Sequence, residues 1–359
     1  MKQRPEDEYQ PLWSVDPGSA VERLPSLPAT RDLGVPPLVG SERSAPEGRA
    51  GGEAEADGDR GRDWGPPVGR IDRGTALLAL GGLVATLSAE IVAWGLALTI
   101  ERMVLALLVP ALILGCGRAF LRDFVPFAAL LILYAELRGL AHAANPLPFY
   151  LPQLDAEKFL FAGHVPAQFL QRHLYDGTMR LHDHVLVDIT RIHSMVPALI
   201  AFGLWLRRRA LFYRFATSML VLSFAAAIVF LAFPTAPPWA AAQGGFDVHV
   251  QRLGHAPSSL PYFGPITVYH YLDDNPYAAI PSLHGGYSFF FVLFIATVVW
   301  RTRWRWPVIG VAALYALAQS FAAVYTGNHY VVDLLIGYGF AAAAVFGVRA
   351  FWRRRAWPE

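Results

Sequence analysis

Two histidines and an aspartate stand in this sequence at spacings that could do chemistry. PSLH at 281–284 is followed by Gly285, Gly286 and an apolar, aromatic run. Ser282 is a candidate helix cap, the glycines leave the backbone open to close approach, and a helix N-terminus attracts anions. A second stretch, YTGNHYVVDLLIGY at 325–338, carries His329 and Asp333 four residues apart. On a helix these two share one face, with Gly337 one turn deeper. A carboxylate that accepts a hydrogen bond from one imidazole nitrogen fixes the tautomer and raises the nucleophilicity of the other nitrogen. A His–Asp pair that only joins helices would use the same residues, as would a metal site completed by His284. No third strong protein ligand for a metal is evident.

The elements that must position these residues are membrane helices. Of the 359 residues 54% are hydrophobic and 16% charged, a balance outside the soluble range. The formal charge of +2 argues against a polyanionic partner, nucleic acid included, and with Cys116 alone no intramolecular disulfide can form. Residues 1–73 are crowded with Pro, Gly and charged residues and carry no periodic apolar stripe, which predicts a disordered cytoplasmic tail. The first long apolar run begins near Thr75, too far from the N-terminus for a signal peptide.

From there apolar runs alternate with short charged or Pro-rich breaks through a membrane domain at 74–352. About 20 apolar residues span a hydrocarbon core. The run Thr75 to Gly117 splits in two at Glu101 and Arg102, and further spans are expected at 124–140, 193–206, 215–233, 285–300, 307–325 and 330–352. The expected fold is thus an all-α polytopic transmembrane bundle of about eight spans. Every second break is rich in arginine, which places both termini in the cytoplasm of a multi-pass cell-membrane protein. The long connections 141–192 and 234–284 and the turn 326–329 then share the outer face, and His284 and His329 meet there.

These motifs resemble a known family. PSLH at 281–284 and HYVVD at 329–333 resemble the second and third signature motifs of the type 2 phosphatidic acid phosphatase superfamily, membrane enzymes that cleave or transfer phosphate groups on lipids. FPTAPPWAA at 233–241, YTGNHYVVD at 325–333 and FLFAGHVPAQFLQ at 159–171 are similar to the branch of inositol phosphorylceramide synthases and their bacterial relatives. The resemblance covers residues 120–345. It implies a six-helix core with the catalytic residues at the outer face, His329 as a nucleophile that forms a phosphohistidine, Asp333 as its orienting partner, and His284 as the acid that protonates the leaving oxygen. It implies no cofactor and no metal.

The sequence departs from the family where phosphate should be clamped. Lys158 is followed by Val165 and Pro166 where the first motif's Arg-Pro falls, and Ala323 stands where another Arg is expected. A transferring phosphoryl group needs positive charge or N–H donors around its oxygens. Arg138 in YAELRGLAH is the first candidate, with Glu136 as an alternative structural partner, and His193 is the second. Ser282 and Lys158 complete the expected binding set, although Lys158 and Arg191 would serve equally as solvated interface charges.

Part of the loop 141–192 is expected to lie along the membrane surface, with His164, His173, His182 and His184 as interfacial residues. The turn at 235–239 suggests a rigid wall at a lipid entrance, with Trp239 in that wall or as an interfacial anchor. The favoured reading is an enzyme acting on a lipid-linked phosphate, either transferring a phospho-headgroup such as inositol phosphate to an acceptor or hydrolysing it. A lipid transporter or flippase would place ionisable residues at the midplane, and a scaffold would not need all three of His284, His329 and Asp333.

Overall fold

The computed structural model describes Pro67, Gly69 and residues 71–96, 98–193, 195–254 and 275–355. Nearly all of the expected tail at 1–73 lies outside the described residues, as does much of the connection 234–284. The described chain is helical throughout: α1 Arg73–Trp94, α2 Ile100–Ile113, α3 Gly117–Ala144, α4 Leu151–Leu160, α5 Pro166–Leu174, α6 Leu181–Arg191, α7 Met195–Arg207, α8 Arg209–Ala232, α9 Pro238–Gln243, α10 Leu283–Val299, α11 Arg305–Tyr325 and α12 Val331–Arg354.

The eight apolar runs become α1, α2, α3, α7, α8, α10, α11 and α12. Five of them, α1, α3, α8, α11 and α12, are long and apolar enough to cross a membrane, and α6 with α7, bent by 49° at their junction, make a possible sixth span. The expected count of eight therefore exceeds what helix length supports. At about 1.5 Å per residue, α2, α7 and α10 cover roughly 21, 20 and 26 Å, short of the ~30 Å hydrocarbon core. Arginine punctuation divides the sequence correctly into apolar pieces but carries no information on their length.

The core gathers large side chains from α2, α3, α7, α8, α10 and α12, among them Phe120, Trp205, Phe215, Phe290 and Phe294. α10 packs on α11 and α12, while α8 packs on α3, α7 and α12. One polar group is set inside this packing. Asp123 on α3 accepts from Trp205 Nε1 at 2.7 Å, Tyr213 Oη at 2.7 Å and the Arg209 guanidinium at 2.8 and 2.9 Å. Its side chain is fully enclosed, so these donors replace the water that a carboxylate would otherwise need. Asp123 thereby ties three helices together.

The connection 141–192 carries three short helices, α4, α5 and α6. α4 rests on α12, and α5 and α6 rest on α11. Tyr325 donates its hydroxyl proton to the buried Asp183 of α6, and Gln319 of α11 reaches the carbonyl of Ile189. These contacts fix the helices around the end of the bundle that carries His284 and His329.

Candidate active site

α10 begins where Ser282 turns the chain. Its backbone is extended, its Oγ accepts from Gly285 N at 3.3 Å, and its own N–H donates to the Asp333 carbonyl at 3.0 Å. The start of α10 is thus fastened to the start of α12. Gly337 makes this approach possible, because a Cβ there would collide with the Ser282 carbonyl. The segment before His284 is held in turn by Thr235, whose Oγ1 accepts from Ile280 N at 2.8 Å.

His329 sits in the tight turn between α11 and α12, after Gly327 at φ 78°, with its N–H on the Ala323 carbonyl. Its Nε2 is 3.1 Å from His284 Nδ1, and its Nδ1 is 3.4 Å from Asp333 Oδ2. The same Asp333 oxygen accepts from Tyr330 N at 2.9 Å. Asp333 is fully buried and His329 nearly so. The partners assign the protons: His329 turns Nδ1–H toward the carboxylate, which leaves the Nε2 lone pair to accept from His284 Nδ1–H. At 3.4 Å the His–Asp contact has ion-pair reach and is longer than a good hydrogen bond.

A third imidazole completes the row. His193, in the turn after α6, holds Nδ1 2.8 Å from the Thr190 carbonyl, and its ring centre lies 4.6 Å from that of His284. Among the described residues no group of three or more His, Cys, Asp or Glu is arranged to hold a metal ion.

These residues open on a cavity of about 480 Å³. Three arginines from separate elements share it with His193, His284 and His329: Arg138 of α3, Arg191 of α6 and Arg252 of the segment after α9. Arg252 lies over the Trp239 indole, 4.8 Å from its centre, and Trp239 also lines the cavity. Arg252 is placed by its neighbour. Gln171 of α5 donates to the carbonyls of Gln251 and Tyr325 at 2.8 Å each and accepts from Gln251 N at 2.9 Å. Arg191 is bonded to Asp188 and the Gly254 carbonyl, both at 3.1 Å.

Of the expected binding residues, Arg138 and His193 line the cavity, whereas Ser282 and Lys158 do not. Ser282 is fully buried with its hydroxyl engaged as a cap, and Lys158 pairs with Asp247 at 3.1 Å. Glu136 also lies off the cavity, and the exposed His164, His173, His182 and His184 take no part in it. Helix N-termini contribute less than expected, because Ser282 takes the N–H of Gly285 and Glu157 takes those of Val331 and Val332. The cavity's positive charge therefore comes from guanidinium groups. Sequence reading missed Arg252 and Glu157, since neither belongs to a spaced motif and both reach the site through tertiary packing.

Glu157, on α4, is completely buried, with each oxygen 3.0 Å from one of those two amide nitrogens. Burial pushes its carboxyl up to about 6 against the pull of both N–H bonds, with Asp333 adding to the rise.

The sequence model of the PAP2 superfamily matches residues 169–347, which include His193, Arg252, His284, His329 and Asp333. A curated protein of Bacteroides thetaiotaomicron, phosphoinositol dihydroceramide synthase, is 30% identical over 151 residues, 40% of this chain and 48% of that protein. The match thus spans about half the relative's length. No solved structure matches the chain.

Proposed function

The chain belongs to the PAP2 superfamily, and from that premise we propose that it acts on a lipid-linked phosphate through a phosphohistidine on His329 and passes the phosphoryl group, with its headgroup, to an alcohol acceptor. The observation that carries this reading is the row Asp333, His329, His284, with His329 Nε2 3.1 Å from His284 Nδ1 beside a cavity lined by three arginines. A nucleophile with an orienting carboxylate behind it and an acid in front is the arrangement that covalent phosphoryl transfer requires.

In the proposed reaction the substrate phosphate enters between the two imidazoles and separates them. His329 Nε2 attacks phosphorus, the bond to the leaving oxygen breaks, and protonated His284 supplies that oxygen with its proton. Asp333 stabilises the charge that develops on the His329 ring through Nδ1–H. Arg138 and Arg252 hold the equatorial oxygens. In the second half the acceptor oxygen attacks phosphorus, its proton passes to His284, and the P–N bond breaks. His193, oriented by the contact of its Nδ1 with the Thr190 carbonyl, lines the cavity beside His284 and contacts the bound substrate from that side.

The named activity of the Bacteroides relative supports transfer, with an inositol-like headgroup, over hydrolysis. The test is incubation of the purified protein and its His329→Ala variant with lipid phosphates and phospholipids, phosphatidylinositol among them, with and without a lipid alcohol such as a dihydroceramide. A new lipid that appears with the wild type and an acceptor supports transfer, and inorganic phosphate alone would make the protein a phosphatase. Turnover that survives in His329→Ala contradicts the mechanism.

A further inference from the structure

A second cavity, of about 560 Å³, lies at the other end of the helices that carry the active site. Arg208 and Arg214 enter it from the start of α8, Arg301 from the turn after α10, and Arg349 and Arg353 from the last turns of α12. Thr297 adds a hydroxyl, and no Asp or Glu is among the described residues that line it. On α10, Thr297 is 13 residues from His284, roughly 20 Å along the helix. The two cavities are therefore separate sites.

Arginines that merely face water at a membrane surface are unremarkable, and Arg208, Arg301 and Arg353 are exposed. Arg214 is different. It is only 4% exposed, its guanidinium donates to Thr297 Oγ1 at 3.2 Å, and it stacks 5.1 Å from the Phe294 ring. It is thus a positioned cation at the wall of the cavity, with Arg349 half-buried beside the same space. Helix dipoles do not neutralise the group. The carbonyl ends of α10 and α12 each contribute about half a negative charge and the start of α8 about half a positive one, a small net term beside five guanidinium groups. Basic pockets between helices near a membrane surface suit phosphorylated lipid headgroups.

We propose that this cavity binds a phosphate anion: the headgroup of an anionic phospholipid, or free phosphate of the same chemistry. The site is distinct from the catalytic cavity and independent of the reaction assigned to it. Bidentate guanidinium contacts favour the phosphate over a zwitterionic headgroup, whose ammonium the arginines would repel.

The test is thermal unfolding of the full chain in neutral detergent with added phosphatidylglycerol, phosphatidylcholine or inorganic phosphate, for the wild type, Arg301→Gln/Arg353→Gln and Arg138→Gln. The two replaced rim arginines are exposed, so the fold tolerates their loss. The expected result is a rise of about 5 °C in Tm at a hundredfold excess of phosphatidylglycerol over its Kd, absent with phosphatidylcholine. The rise should be kept in Arg138→Gln and largely lost in the double variant. A rise with inorganic phosphate that follows the same variants assigns the site to the free anion and supports the proposal. Equal shifts with both lipids, no shift with any anion, or a shift lost in Arg138→Gln and kept in the double variant would each overturn it.

Discussion

Glu157 Oε1 lies 3.0 Å from the backbone nitrogen of Val331, and its other oxygen makes the matching contact with Val332. A side chain of α4 thus caps α12 at its first residues, two and three positions beyond His329, and Asp333 follows directly on the same helix. Because the cap fixes where α12 starts, it fixes the angle at which Asp333 meets the His329 ring. Replacing Glu157 by Ala should lower stability by about 1–2 kcal/mol, the usual cost of a lost cap, and lower kcat more than it raises KM. Kinetics and thermal unfolding of the purified variant check this. A raised KM with kcat intact would show that Glu157 serves binding instead of alignment.

The same carboxylate predicts a pH dependence of stability. Its value rises from 4.5 to about 6, so between those values the folded chain holds a proton that the unfolded chain has lost. Stability from this group is complete below about pH 4.5 and disappears as pH climbs through 6. The Tm of the wild type relative to Glu157→Gln, which lacks this titration, should therefore fall as pH rises across that window. A relative Tm that is flat or increasing would contradict the assignment.

Cations inside and outside the catalytic cavity should separate cleanly. Arg138→Leu or Arg252→Leu removes a donor from the transferring phosphate, and losses of about 10²–10³ in kcat are expected for such donors. Lys158→Ala, which breaks only the contact with the exposed Asp247, should leave turnover within about twofold, as exposed pairs are worth little. Steady-state rates on one lipid substrate measure all three. A large loss in Lys158→Ala, or none in Arg138→Leu, would return the clamp to Lys158.

Much of this arrangement is legible in the sequence, and the boundary has a physical cause. His284, His329 and Asp333 could be selected because i, i+4 spacing and a cap-like Pro-Ser are local properties of the chain. The apolar runs mark every long helix for the same reason. Arg252 is placed by Gln171, 80 residues away along the chain from Gln251, and Glu157 by contacts spanning 174 and 175 residues. No local pattern encodes such pairings. Ser282 and Lys158 are also expected from the sequence to bind substrate, but Ser282 uses its hydroxyl for the helix cap that its Pro-Ser context predicts, and packing turns Lys158 toward Asp247.

Asp123 is the strongest case of a residue invisible to pattern. It follows Arg122 in what reads as a basic break between spans, yet it receives Trp205, Arg209 and Tyr213 in the bundle interior. Asp123→Ala leaves the Arg209 guanidinium buried without its counter-ion, at a cost of about 3–5 kcal/mol. A lowered Tm in detergent, with the rate per folded molecule unchanged, is the expected outcome. A Tm within a degree of the wild type would mean that water reaches Arg209.

The covalent intermediate tests the central claim most directly. The purified protein should be mixed with lipid substrate labelled in the phosphate, without acceptor, then quenched in base and digested for peptide mapping. The label should appear on the peptide containing His329 as an acid-labile, base-stable phosphoramidate, be absent in His329→Ala, and be discharged when an alcohol acceptor is added. Label on another residue, or turnover with no labelled protein at any time, would contradict the phosphohistidine mechanism.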